Sequence, residues 1–538
     1  MKHLLPALLL ATAACGGTPE TAKTPGGGAG SGSAAKPLAK GDVAFDVAAI
    51  DLKGLAFEPE ALERPGMMLS PPKKKTTIDK LRDTVAKTKD LEARQALAIG
   101  LATLLYEDSK TNKANADTDV AEARQPLRDA IAAAGDKVDD LTLKFLGVYE
   151  LLLADYPGAE KAYSALVAKA PTDKDIATSK AWLAFAQLKQ YKNSDALATL
   201  KDQTISDKTP ELAYVAAWAK FRTGDEAGAW QAIVAAAKGW GPKELPNKGA
   251  VERDVMLFAA RTNVTLADAQ PQLVAIFGKE KAKQYETIAK LGLQAYGFAG
   301  RWADGVAAID KAIEIAGTTV PANDVPVLRF TQADFLVRLD TPDVGAKVAK
   351  QALDALPGCG AKCSDKDKQD IATNIYGMGR LYHLLYATAN DIRFYQPAHD
   401  LYAATIPLIT DAANKTQAQK DSATLEQTLK NTKVGTGTHD KQAIGVLLTR
   451  HNQEVTACYE LGLAANPKLA GTLKLELESD TTGAIKGAST EPKAGLADMS
   501  AVAGCVAEHA KTWKLPHRGM PGATRISMVY NLGPAAKK

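Results

Sequence analysis

The chain has 538 residues, 46% of them hydrophobic, and a formal charge of +4 from 66 basic against 62 acidic residues. That length exceeds one hydrophobic core and predicts several units. The near-balanced charge argues against a nucleic-acid partner, and no apolar run approaches the ~20 residues of a spanning helix, which leaves lipid as the means of membrane attachment.

In chain order, Met1, Lys2 and His3 precede an apolar run from Leu4 to Ala11 and then Thr12-Ala13-Ala14-Cys15. A cationic start, a short apolar core and small residues before a cut site mark a secretory signal. The Ala-Ala-Cys ending with Gly16-Gly17 resembles a bacterial lipoprotein signal, although Thr12 stands where that family usually has an aliphatic residue. The resemblance implies a signal over 1–15 and a lipid on Cys15. Under the sorting logic of that family, Gly16 in place of Asp implies the outer membrane, with the periplasmic side preferred to the cell surface. The alternative is a soluble exported protein cut near Ala14. Residues 16–41, with Gly26-Gly27-Gly28 and Gly30-Ser31-Gly32 at the centre, cannot bury enough apolar surface to order themselves and read as a tether reaching roughly 25–30 Å. Lys73-Lys74-Lys75 after Pro71-Pro72 reads as a solvated turn.

Residues 42–430 read as helical repeats, rich in Ala, Leu and Lys and broken by short Pro, Gly or Asp turns. Leu143, Leu146-Gly147, Tyr156, Ala159, Tyr163 and Pro171 resemble the tetratricopeptide repeat (TPR), a unit of ~34 residues. Gly147 and Ala159 are small where two antiparallel helices touch, with Tyr163 and Tyr156 beside that contact. Further copies fall at Ala213, Gly224, Ala229 and Ile233, and at Tyr296, Gly300, Trp302, Gly305, Ile309 and Ala312. Weaker ones centre on Trp182, Ala196 and Leu200 and on Tyr395, Ala398 and Tyr402. The stretch 238–286 lacks the pattern, so the solenoid is predicted to be interrupted. The overall expectation is a mostly α chain, a TPR-like helical-repeat solenoid followed by a small α+β domain.

Residues 431–440 read as a linker. Within 441–538, Val455, Cys458, Tyr459 and Gly462 share one helix face, and Leu473, Leu475 and Leu477 alternate with charged residues as in a half-buried strand. A second helix carries Val502, Cys505, Val506, His509 and Trp513. A last strand carries Ile526, Met528 and Tyr530, giving the order helix, strand, strand, helix, strand. Val455-Thr-Ala-Cys458-Tyr459-Glu460, Asn466-Pro467, Gly471, Gly483, Cys505 and Trp513-Lys-Leu-Pro516 resemble the AgmX/PglI C-terminal domain of myxobacterial gliding-motility proteins, itself similar to the TonB C-terminal fold. That resemblance implies a sheet edge able to accept a strand and a part in an envelope motility or transport assembly.

With Cys15 set apart, four cysteines remain. Cys458 and Cys505, on apolar helix faces, read as a disulfide, with two packed thiols or a zinc site using His509 and His451 as the alternatives. Cys359 and Cys363 read as a local disulfide clamp, since their spacing is not that of a redox pair. His383 and His399 bracket Tyr376, Tyr382, Tyr386, Phe394, Tyr395 and Tyr402, which read as core with a recognition pocket as the alternative. No catalytic motif, metal site or cofactor site is read from the chain. The expectation is a non-catalytic, lipid-anchored envelope scaffold that binds envelope proteins through its repeats and C-terminal domain. The alternative is a peptidoglycan-binding or cell-wall-processing accessory factor.

Overall fold

The computed structural model describes residues 43–62, 78–111, 116–169, 173–241, 247–317, 321, 324–358, 364–389, 392–431, 444–445, 448–492, 499–515 and 522–535. Cys15, the tether, Cys359, Cys363 and residues 432–440 of the predicted linker lie outside them. Contacts gather the chain into two compact units. One holds residues 56–279 with 463–467, and the other holds 280–462 and 468–538 with the residues before 56.

Among the described residues the first unit contains eleven α-helices: α1 (Ile78–Lys87), α2 (Leu91–Thr111), α3 (Ala116–Ala134), α4 (Asp140–Leu152), α5 (Tyr156–Ala168), α6 (Asp173–Lys189), α7 (Asn193–Leu200), α8 (Pro210–Arg222), α9 (Glu226–Trp240), α10 (Lys248–Arg261) and α11 (Leu266–Phe277). Successive helices from α1 to α10 pack on their chain neighbours, and α11 packs on α9. The second unit continues with α12 (Lys281–Lys290), which runs into a π-helical stretch Leu291–Tyr296, then α13 (Trp302–Ala316), α14 (Val325–Arg338), α15 (Pro342–Ala355), α16 (Asp365–Ala389), α17 (Tyr395–Thr405) and α18 (Ala412–Asn431). None of these helices is long and apolar enough to cross a membrane.

One turn recurs at five of the pairs. Ala154, Tyr191, Gly224, Gly300 and Asp340 all take a left-handed conformation, with φ of 55°, 60°, 84°, 72° and 55°. The next residue returns its N–H to the carbonyl five positions back, as Asp155 does to Glu150 at 2.8 Å and Asp225 to Lys220 at 2.9 Å. That closure satisfies the last carbonyls of one helix while the chain reverses. The residue opening the second helix then accepts from a small residue four positions on: Ala159, Ala196, Ala229, Gly305 or Gly345. These are the TPR-like hairpins that the small-residue spacing predicted, and the fifth, α14–α15, was not read from the sequence.

Packing explains the small residues. A methyl group on Gly147 would meet the Tyr163 ring at 2.6 Å, and Ala159, Tyr163 and Ala229 are buried. Gly305 faces the Phe335 ring on α14 in the same way. Tyr156, the other aromatic read at this contact, is half-buried. The stretch 238–286, read as lacking the repeat, is helical, with α10 and α11 within it. The boundary between the units, after Lys279, falls in that stretch.

The C-terminal domain comprises α19 (Asn452–Ala465), β3 (Gly471–Ser479), β4 (Ile485–Pro492), α20 (Met499–Ala510) and β5 (Thr524–Pro534), in the predicted order. Leu473, Leu475 and Leu477 on β3 and Ile526, Met528 and Tyr530 on β5 are buried, with β3 antiparallel to both β4 and β5. Two further strands, β1 (Val43–Asp46) and β2 (Ile50–Gly54), pair in parallel along β5, Phe45 opposite Ile526 and Leu52 opposite Leu532. This corrects the assignment of residues 42 onward to the repeats. Each strand is too short to announce itself, and its partner lies some 480 residues away. The β5 edge is thereby covered, and β4 pairs with β3 alone among the described residues.

Candidate functional site

In the first unit, the leading helices of three successive pairs present a row of polar side chains. Tyr214, Trp218 and Arg222 recur every four residues on α8, and Asp254, Phe258 and Arg261 share one face of α10, so each set lines one side of its helix. Trp218, Phe221 and Phe258 pack beneath, with Trp218–Phe258 centroids 5.3 Å apart. Lys189 at the end of α6 and Tyr191 in the following turn complete the row.

Residues 56–62 (Ala-Phe-Glu-Pro-Glu-Ala-Leu) lie in this groove without helix or strand structure. Its wall reads their main chain. Arg222 Nη2 donates to the Phe57 carbonyl at 3.0 Å and Arg253 Nη2 to the Glu58 carbonyl at 3.2 Å. The Ala61 N–H donates to Tyr214 Oη at 3.0 Å, and that hydroxyl donates to Asp254 Oδ2 at 2.6 Å. The Glu58 carboxylate lies 3.4 Å from both Lys189 Nζ and Arg222 Nη2 and accepts from the Tyr191 hydroxyl. Glu60 pairs with Arg253, and Arg261 stands over the Phe57 ring at 5.6 Å. Ala61 and Leu62 are 1% and 5% exposed.

Electrostatics follow from this geometry. Burial pushes the Glu58 carboxyl up, but the Tyr191 hydroxyl, Lys189 and Arg222 outweigh it and hold the group below the usual range. Burial dominates at Asp254, whose carboxyl is raised to about 6 despite Arg253 and Tyr214. The Arg222 side chain is wholly buried. It donates to the Leu188 carbonyl at 2.8 Å and stacks on Tyr191 at 4.4 Å, so its charge is held by a carboxylate, carbonyls and a ring face. The site can bind an extended acidic chain. It aligns no nucleophile with a base.

The second unit has its own polar cluster. Glu454 on α19, 4% exposed, accepts from Trp302 Nε1 at 2.6 Å and from Trp513 Nε1, with His451 Nδ1 at 3.3 Å. Burial raises the Glu454 carboxyl, and His451 and Trp513 more than reverse this, leaving it below its ordinary value. His451 stacks on Trp513 at 4.4 Å, and a cavity of about 110 Å³ adjoins, bordered by Arg338, Tyr382 and Arg450. Arg338 stacks on Trp302 at 4.6 Å and donates to the Arg450 carbonyl.

The residues singled out from sequence do not meet in one place. Gly147, Ala159, Tyr163, Ala229 and Gly305 sit at hairpin contacts and shape the scaffold. Cys458 and Cys505 form a disulfide between α19 and α20, Cα–Cα 5.7 Å. His509 lies beside these sulfurs, but two sulfurs bonded to each other are not thiolate ligands, so no zinc set remains there. Tyr376, Tyr382, Tyr386, Phe394 and Tyr402 are buried among α14–α18, which makes them core. Sequence reading missed Glu58, Tyr191, Tyr214, Arg253 and Asp254. The one available signal was Arg222, a charge in line with Tyr214 and Trp218 on the buried face of α8.

No protein-family model matches the chain, and no curated protein matches it. Solved structures do. One is the apo form of the quorum sensor NprR from B. thuringiensis, at 10% identity and TM-score 0.19, over 65% of this chain and 92% of that one. Others are the APC/C hetero-tetramer Cut9-Hcn1, at 12% and 0.21 over 72% and 90%, and Naa15/Naa10 bound to HypK-THB, at 13% and 0.21 over 72% and 76%. Superpositions this loose say nothing about what the chain binds.

Proposed function

We propose that the chain is a non-catalytic scaffold that binds protein partners along its helical repeats. The observation supporting this reading most directly is the groove across α6, α8 and α10, which grips an extended segment by its carbonyls, one N–H and two carboxylates. Main-chain recognition of this kind suits an extended protein ligand, and helical repeats expose such surfaces. The lipoprotein-like leader supports an exported chain anchored through Cys15 on the periplasmic side of the outer membrane. The AgmX/PglI-like residues support a place in an envelope motility or transport assembly, with the β4 edge as the strand-accepting side of the C-terminal domain.

A photo-crosslinking side chain at position 191, in the groove, is expected to capture a second protein in intact envelopes. The same probe at Lys201, an exposed position after α7, is not. Equal capture at both positions, or none at 191, refutes the docking role. Separately, Cys15→Ser is expected to move the protein from the membrane to the soluble fraction, and unchanged membrane attachment refutes the anchor.

A further inference from the structure

The occupant of the groove is part of the chain itself, and its contacts are those of a ligand. We propose that residues 57–62 act as a tethered competitor: they fill the groove in cis, and a partner's extended acidic peptide, with two carboxylates flanking a proline after an aromatic residue, displaces them. This rests on the docking role proposed above and names the chemistry of the ligand.

Five observations carry it. Lys189 and Arg222 face the Glu58 carboxylate, Arg253 is shared between Asp254 and Glu60, and Arg261 stands over the Phe57 ring, so the groove's cations favour an acidic occupant. The Arg222 side chain is wholly buried, and among the described residues the carboxylate it pairs with is Glu58. Emptying the groove would strand that cation, so exchange of one acidic chain for another is favoured over vacancy. Part of the readout is common to any peptide, the carbonyls of residues 57 and 58 and the N–H of residue 61, while the Glu58 and Glu60 carboxylates supply the sequence-dependent part. Pro59 between Glu58 and Glu60 biases the backbone to an extended form, which sets the carboxylates two residues apart along the trough. The segment has no secondary structure of its own, so releasing it breaks no ladder of backbone bonds.

A tethered occupant lowers the apparent affinity for a free ligand by the fraction of time the site is open. The probe is a fluorescein-labelled peptide of residues 55–62, titrated against the full-length chain by fluorescence anisotropy. The chain carrying Glu58→Ala and Glu60→Ala is expected to bind it at least tenfold more tightly than the unaltered chain. Adding Arg253→Ala, a partly exposed groove residue, is expected to undo that gain by tenfold or more. Should the double variant fail to give a native circular-dichroism spectrum, Glu60→Lys alone serves, since that side chain is 56% exposed. The proposal is overturned if a folded variant binds the peptide no better than the unaltered chain, or no better than a scrambled peptide. Crosslinking at position 191 with no peptide binding would refute the ligand class and leave the scaffold standing. Failure of both would remove both.

Discussion

Replacing Glu454 tests how the C-terminal domain is held to the repeat helices of its own unit. The carboxylate accepts from the indoles of Trp302 on α13 and Trp513 beyond α20, and Gly300 lies so near that a methyl group there would meet Glu454 Cγ at 2.7 Å. Glu454→Ala strands two buried indole N–H groups, each worth about 1–3 kcal/mol when left unsatisfied. The adjoining 110 Å³ cavity admits water, which can re-satisfy part of this. The expected loss is therefore about 2–4 kcal/mol. Glu454→Gln keeps the volume and one acceptor but sets an amide N–H₂ against one indole, for a loss of about 1–2 kcal/mol. Urea unfolding followed by tryptophan fluorescence, with calorimetry to resolve the transitions of the two units, reads both values. The pH dependence adds a signed check. Because the folded carboxyl sits below its ordinary value of 4.5, its contribution is present above that pH and is lost as pH falls through the folded value. The gap between native protein and Glu454→Gln should close on acidification below pH 4.5. An Ala variant within 0.5 kcal/mol of native (small on the ~1 kcal/mol scale of a single hydrogen bond), or a Gln variant less stable than Ala, refutes the reasoning.

Three other outcomes follow. Gly147→Ala overpacks the Tyr163 ring and should lower stability by about 1–3 kcal/mol, with Gly147→Ala/Tyr163→Leu less than additive in thermal melts; strict additivity would deny the contact. Asp254, raised to about 6, contributes stability fully present below its unfolded value near 3.8 and lost as pH rises through 6. Asp254→Asn should therefore flatten that decline, a difference of up to about 3 kcal/mol between pH 4 and 7 in urea titrations, and an unchanged slope counts against it. Reduction of Cys458–Cys505, which closes a separation of 47 residues, should destabilise the C-terminal domain by about 4 kcal/mol, read as a lower Tm in dithiothreitol; no shift would show the link to be energetically idle.

Much of the architecture was legible because it is written in local spacing. Small residues recurring at Ala159, Ala196, Ala229 and Gly305 mark where helices touch, and alternation at Leu473–Leu477 marks a strand, since both periods are properties of a single element. The α14–α15 hairpin, with Asp340 in the left-handed turn and Gly345 at the contact, uses the same device and was not read. Residue identity alone does not report φ. The order of elements and the packing roles of Gly147 and Gly305 belong to the sequence by itself.

The docking groove does not. Glu58, Tyr191, Arg222 and Arg253 are unremarkable where they stand in the chain and become a site only when three helix pairs align them along one trough. The same holds for β1 and β2, four and five residues long, which find β5 across some 480 residues. Such contacts are set by which surfaces remain uncovered after the helices have packed, and nothing local encodes that. Only the tertiary structure decided that the chain's own residues 43–62 lie against one sheet edge and in one repeat groove.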